Sequence, residues 1–130
     1  MQLRKFVPSI LVLSFLAGLN AAAAPSARAG EADVIAAHAT RQPDGRYEVS
    51  ATIRHADDGW DHYADRFDVM TADGQVIGKR VLAHPHVEEQ PFTRSLSGVA
   101  IPEGVDEIRV RAHDTVHGLG AQEVSVKLTR

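Results

Sequence analysis

The sequence predicts an all-β domain, an antiparallel sandwich, on three observations. Apolar and polar residues alternate with period two along several runs, turn residues recur between those runs, and after residue 30 no stretch repeats its apolar residues at helical spacing. A strand points successive side chains to opposite faces, so a sheet covered on one side reads as this alternation.

The strands follow in order, with bounds good to a few residues. The first spans roughly 33–40 and is closed by Pro43-Asp44-Gly45. In the second, roughly 46–55, Tyr47, Val49, Ala51 and Ile53 face one way and Arg46, Glu48, Ser50, Thr52 and Arg54 the other. The third and fourth, roughly 63–71 and 75–83, flank Asp73-Gly74. The fifth, roughly 92–100, precedes Pro102-Glu103-Gly104. The sixth, roughly 106–113, sets Ile108, Val110 and Ala112 against Arg109, Arg111 and His113; the seventh, roughly 121–129, sets Val124, Val126 and Leu128 against Ser125, Lys127 and Thr129. Seven strands of this length suit a seven-stranded immunoglobulin- or fibronectin-type antiparallel β-sandwich.

Three finer expectations come from the same pattern. Trp60 or Tyr63 is expected as the large aromatic of the core, with a ligand platform as the alternative. Reading inward from Phe92 to Leu96 places Arg94 on the core side, and reading inward from Tyr63 to Phe67 does the same to Asp65. A buried charge needs a partner, so an Asp65–Arg94 pair is expected. Ser97-Gly98 is expected to form a bulge that resets the register.

Residues 1–29 read as an export signal. Arg4 and Lys5 form a basic start, and the run from Phe6 through Leu19 is apolar apart from Pro8, Ser9 and Ser14. That run is shorter than the ~20 residues a membrane helix needs and is followed by Asn20 and small residues, not by a basic stop-transfer cluster. Cleavage is expected after Ala23 or after Ala29, which leaves residues 30–130 as a single domain without a membrane span, periplasmic or secreted.

Composition narrows the partners. Loss of Arg4, Lys5 and Arg28 from the 14 basic residues leaves 11 against 17 acidic ones, a formal charge of −6. With no basic stripe and no interleaved aromatics, nucleic acid is a poor partner. The chain has no cysteine, so no lipid attachment site, disulfide or thiolate metal ligand is expected, and ordinary packing must hold the fold.

The histidines carry the functional reading. Alternating strands bring the loops after the second, fourth and sixth strands to one end of the sandwich. The first loop holds His55, Asp57, Asp58, Trp60, Asp61, His62 and Tyr63, the second His84, His86, Glu88 and Glu89, and the third His113, Asp114 and His117. Six of the seven histidines thus collect at one pole, and only His38, on the first strand, lies outside. Imidazole nitrogen with carboxylate oxygen and no sulfur is a donor set for Zn²⁺ or Cu²⁺ in an oxidising compartment. The candidate ligands are His55, His62, His84, His86, His113, His117 and Asp114, with neighbouring carboxylates fixing the ring tautomers. His84-Pro85-His86 puts two rings on one side of an extended segment, and His86 and His117 are the two expected last to prove inert. The competing reading is a structural network, since long loops carry main-chain groups that His, Asp and Arg side chains satisfy well.

The segment Gly59-Trp60-Asp61-His62-Tyr63-Ala64-Asp65, with His84-Pro85-His86-Val87-Glu88-Glu89-Gln90-Pro91-Phe92-Thr93-Arg94-Ser95-Leu96, resembles a family of small uncharacterised exported bacterial proteins. That likeness covers most of the chain after the leader and implies no activity. Asp114-Thr115-Val116-His117 before a final strand is similar to the aspartate and histidine loop of periplasmic copper-resistance carriers, which are small sandwiches that bind Cu²⁺ there together with an N-terminal histidine. The present chain has one more residue between acid and imidazole, and no histidine follows either cleavage site.

Two functions of different class follow: an exported, non-enzymatic, metal-binding domain, or a protein-interaction module for a periplasmic partner that uses the same loops with Trp60 and Tyr63. An enzyme is not expected. No nucleophile elbow or Ser-His-Asp order is present, and His117-Gly118-Leu119-Gly120 lacks the strand-to-helix setting of a phosphate loop.

Overall fold

The computed structural model describes residues 30–129, all of it strand, turn and loop. The leader and its two cleavage sites lie outside the described residues, apart from Gly30, which follows the second of them.

Eight strands form: β1 (Asp33–Arg41), β2 (Tyr47–Arg54), β3 (Ala64–Thr71), β4 (Val76–Val81), β5 (Phe92–Val99), β6 (Glu107–Asp114), β7 (Gly118–Leu119) and β8 (Val124–Lys127). One sheet has the order β1-β2-β5; the other runs β4-β3-β6, with β7 and β8 both pairing β6. All pairings are antiparallel, and the two sheets are open, as in a β-sandwich.

The alternation read from the sequence is the burial observed. Tyr47, Val49, Ala51 and Ile53 of β2 are buried and meet Phe67, Val69, Ile108, Val110 and Ala112 of the facing sheet, with Phe92 and Val34 completing the core. Burying a side chain the size of Phe67 or Ile53 contributes about 1.5–3 kcal/mol, and these residues are fully enclosed.

The expected seventh strand is two. β7 pairs with the end of β6 at His113 and Asp114, whereas β8 pairs with its beginning, from Glu107 to Val110. Between them the chain turns to β1: Val34 N donates to Gln122 O at 3.2 Å and Ala121 N to the Glu31 carboxylate at 3.0 Å. Gly120 lies so close to the main chain of Ala32 that a Cβ would overlap the Ala32 carbonyl. A strand cannot pair continuously with β6 while closing on β1, so the ladder breaks.

The bulge at Ser97-Gly98 is present: Tyr47 faces Val99 while Val49 faces Leu96, so β5 carries the extra residue, with Gly98 at φ 72°. A second bulge overturns the Asp65–Arg94 pair. Ala64 and Arg66 face the neighbours Asp114 and His113, leaving Asp65 as the extra residue of β3. The strand therefore changes parity there: Ala64 and Phe67 are both buried, and Asp65 is not forced inward. Asp65 instead meets His113, and Arg94 meets Glu89 at 3.1 Å.

Neither Trp60 nor Tyr63 is the core aromatic. Trp60 is 67% exposed and touches Tyr63 edge to face, with ring centroids 5.6 Å apart, while Phe67, Phe92 and Tyr47 fill the interior. The loop from 55 to 63 places its buried polar groups, not its aromatics, against the sandwich.

Candidate metal centre

The pole is built by strand direction. The loops after β2, β4 and β6 emerge together, and because β1 runs antiparallel to β2, with Asp33 opposite Arg54, the chain ahead of β1 arrives there too.

Asp57 organises the first loop. It is buried, and its Oδ1 accepts from His55 Nδ1 at 2.5 Å and from Ala64 N at 3.0 Å, while Oδ2 accepts from His86 N at 2.7 Å. Two loops and the start of β3 are thereby tied to one carboxylate. An ionised carboxylate only accepts, so the Asp57 contact places a proton on His55 Nδ1 and turns Nε2 toward His62 and Gly30.

That nitrogen faces a cluster of polar atoms. His55 Nε2 is 3.2 Å from His62 Nε2 and 2.9 Å from the Gly30 carbonyl oxygen. His62 Nε2 is 3.2 Å from Asp114 Oδ1. His55, His62 and Asp114 each offer one ligand atom, and these three atoms all lie within 4.8 Å of one another. His62 Nε2 thus stands within 3.2 Å of His55 Nε2, the Gly30 carbonyl oxygen and Asp114 Oδ1 at once. A cation suits such a set.

Asp114 ends β6 fully buried. Burial raises its carboxyl, but the main-chain donors His117 N at 2.7 Å and Val116 N at 2.9 Å, with the His117 ring, outweigh it and hold the group below the usual carboxylate range. Its second oxygen, Oδ2, is buried with no hydrogen-bond partner among the described residues. The carboxylate thus keeps one oxygen without a donor beside the imidazoles, while Oδ1 is the oxygen nearest His62.

The remaining predicted ligands divide. His117 touches the group through Asp114 Oδ1, 3.2 Å from its Nδ1, and its ring lies 5.0 Å from that of His62. His113 turns to the other side of β6, where its Nδ1 meets Asp65 Oδ1 at 2.5 Å. His84 is exposed, with Nδ1 on the Pro85 carbonyl at 3.1 Å. His86 is buried and stacks on Phe92, with centroids 4.0 Å apart and planes 12° from parallel. Neither His86 ring nitrogen has a hydrogen-bond partner among the described residues, though Nδ1 lies 4.0 Å from Asp57 Oδ2, and desolvation, helped by Arg94 and His84, lowers its pKa. His84 and His86 do lie against each other, at 4.6 Å, but apart from the His55–His62–Asp114 group.

Sequence reasoning named Asp57 only among the carboxylates of its loop and missed Gly30 altogether. Antiparallel pairing of the first two strands was the available signal for Gly30, since it returns the start of β1 to the pole where β2 ends.

Fold and site together define a class: a small β-sandwich with an imidazole–carboxylate cluster at one pole. The chain is 46% identical over 79 residues, 61% of its length, to a protein of Halomicrobium mukohataei described as a candidate lipoprotein. It spans 38% of that relative's length. No family model and no solved structure matches. The resemblance to proteins without an assigned activity gains support from this relative, and the resemblance to copper-resistance carriers gains none.

Proposed function

We propose that this is an exported, non-catalytic protein that binds one divalent transition metal, Zn²⁺ or Cu²⁺, through His55, His62 and Asp114. The observation that carries the reading is the convergence of one ligand atom each from His55, His62 and Asp114, with Asp57 held on His55 Nδ1. A carboxylate on that nitrogen fixes the tautomer and raises the basicity of the ligating one. Two imidazoles and a carboxylate with no sulfur match borderline metals better than Ca²⁺ or Mg²⁺.

Export is supported by the leader pattern and by the lipoprotein description of the relative. A non-catalytic role rests on the sequence, which carries no nucleophile elbow and no Ser-His-Asp order.

Titrating the metal-free protein with Zn²⁺ and with Cu²⁺ by calorimetry tests this reading. One equivalent should bind, His62→Ala should weaken binding by at least about tenfold, and His84→Ala should leave it unchanged. Binding no tighter than about 1 mM, or equal affinity in the His62 variant, ends the reading.

A protein-interaction module is the second reading, and one observation favours it. Trp60 projects into solvent at the same pole, and Val116 and Val87 nearby in sequence to the site loops are 58% and 57% exposed. On this reading the buried histidines and carboxylates are a scaffold that shapes the loops.

A further inference from the structure

Gly30 stands over the imidazole pair and is held there from below. Its carbonyl oxygen lies 2.9 Å from His55 Nε2 and 3.2 Å from His62 Nε2. The segment behind it is fixed to the loop between β7 and β8 by the Glu31 carboxylate on Ala121 N, by the close approach of Gly120 to Ala32, and by the Val34–Gln122 bond. Gly30 adopts φ 99°, and a Cβ there would stand 2.7 Å from Cε1 and 3.2 Å from Nε2 of His117. A side chain there would require the His117 ring or the main chain to move, and the positive φ itself favours glycine.

The spacing of the donors is informative. A metal about 2.0–2.1 Å from each ligand sets neighbouring donors about 3.3 Å apart in a tetrahedron and about 2.9 Å apart at right angles. The His55–His62, His62–Asp114, His55–Gly30 and His62–Gly30 separations are 3.2, 3.2, 2.9 and 3.2 Å. All four separations fall within the span that ligands of one such ion show.

We propose that the Gly30 carbonyl oxygen is the fourth donor of the metal site, which makes the bound ion a clasp between the start of the domain and the loops after β2 and β6. This rests on the metal reading above. It adds a main-chain ligand that no side-chain motif reveals. A carbonyl oxygen also makes the set harder than three side chains alone, which favours Zn²⁺ or Cu²⁺ over Cu⁺.

The dipeptide Gly30-Glu31 is the sole Gly-Glu step in the chain, which makes the carbonyl separately observable. Protein processed as the producing cell processes it, labelled with carbonyl-¹³C glycine and ¹⁵N glutamate, gives one Glu31 amide signal coupled to the Gly30 carbonyl. One equivalent of Zn²⁺ should move that carbonyl resonance, Cu²⁺ should broaden it away, and His62→Ala should suppress both. Gly30→Ala, by forcing the main chain off His117, should lower Zn²⁺ affinity by about tenfold or more while the fold persists. If Zn²⁺ shifts the His55 and His62 ring signals but leaves the Gly30 carbonyl unmoved, the fourth donor is lost and the three-residue site survives. If Zn²⁺ moves neither, both fall together.

Discussion

Asp57 grips His55 by the nitrogen that points away from His62, at 2.5 Å, with neither side chain exposed to solvent. The same carboxylate accepts from Ala64 N and His86 N, so the geometry of the imidazole pair and the course of two loops depend on one buried acid.

Removing that acid should therefore act on stability and on metal affinity together. Asp57→Ala leaves His55 Nδ1, His86 N and Ala64 N without their acceptor, and should cost roughly 3 kcal/mol. Urea denaturation in the presence of a chelator measures the loss. Where the variant still folds, Zn²⁺ affinity should drop by about tenfold to a hundredfold. An Asp57→Ala protein as stable as the parent would show that the loops are held by other means.

The buried ring of His86 predicts an acid-side loss of stability. Desolvation lowers its pKa from the ordinary value of 6.5, so below that value the unfolded chain takes up a proton that the folded chain refuses. The contribution is complete above the unfolded value and declines as the pH falls below it. His86→Phe keeps a flat ring against Phe92 and removes the titration. Between about pH 7.5 and about pH 5 it should lose less stability than the parent, compared in urea with a chelator present. Equal losses in the two proteins would show that His86 is protonated without penalty.

Gly120 is read here as a steric requirement rather than part of a phosphate loop. Gly120→Ala should push the main chain off Ala32, destabilise the fold by about 2 kcal/mol, and speed amide exchange at Val34 and Ala121. Unchanged exchange at those two amides would mean that the β7–β8 loop does not hold the start of β1.

Trp60 should be dispensable for folding. With two thirds of its surface in solvent and its contact with Tyr63 edge to face, Trp60→Ala should change stability by no more than about 0.5 kcal/mol. Trp60 is the one tryptophan of the chain, so the parent's fluorescence reports on it directly. Emission at the wavelength of exposed indole, quenched by iodide, is expected; a blue-shifted, protected emission would return Trp60 to the core.

Much of the architecture was legible because burial imposes a period. Tyr47, Val49, Ala51 and Ile53 had to alternate with polar neighbours, and Ile108, Val110 and Ala112 likewise, since each strand has one wet face. The arrival of His55, His62 and His117 at one pole was legible too, because antiparallel strands deliver alternate loops to the same end. Local bulges hid the rest. One residue inserted at Asp65 reverses the parity of β3, replaces the Asp65–Arg94 pair by Asp65–His113 and Arg94–Glu89, and leaves the strand pattern almost untouched to the eye.

The amino-acid sequence by itself determined the all-β class, the positions of most strands and turns, and which loops share a pole, since these follow from side-chain polarity and chain direction alone. Only the tertiary structure decided which rings meet. Ring contacts depend on ångström-scale placement by groups far apart in the chain: Asp57 turning His55, Asp114 meeting His62, and the start of β1 pinned by the β7–β8 loop so that a backbone carbonyl faces both imidazoles. Spacing along the chain carries no record of a main-chain oxygen, because every residue has one and only folding selects which is aimed at the site.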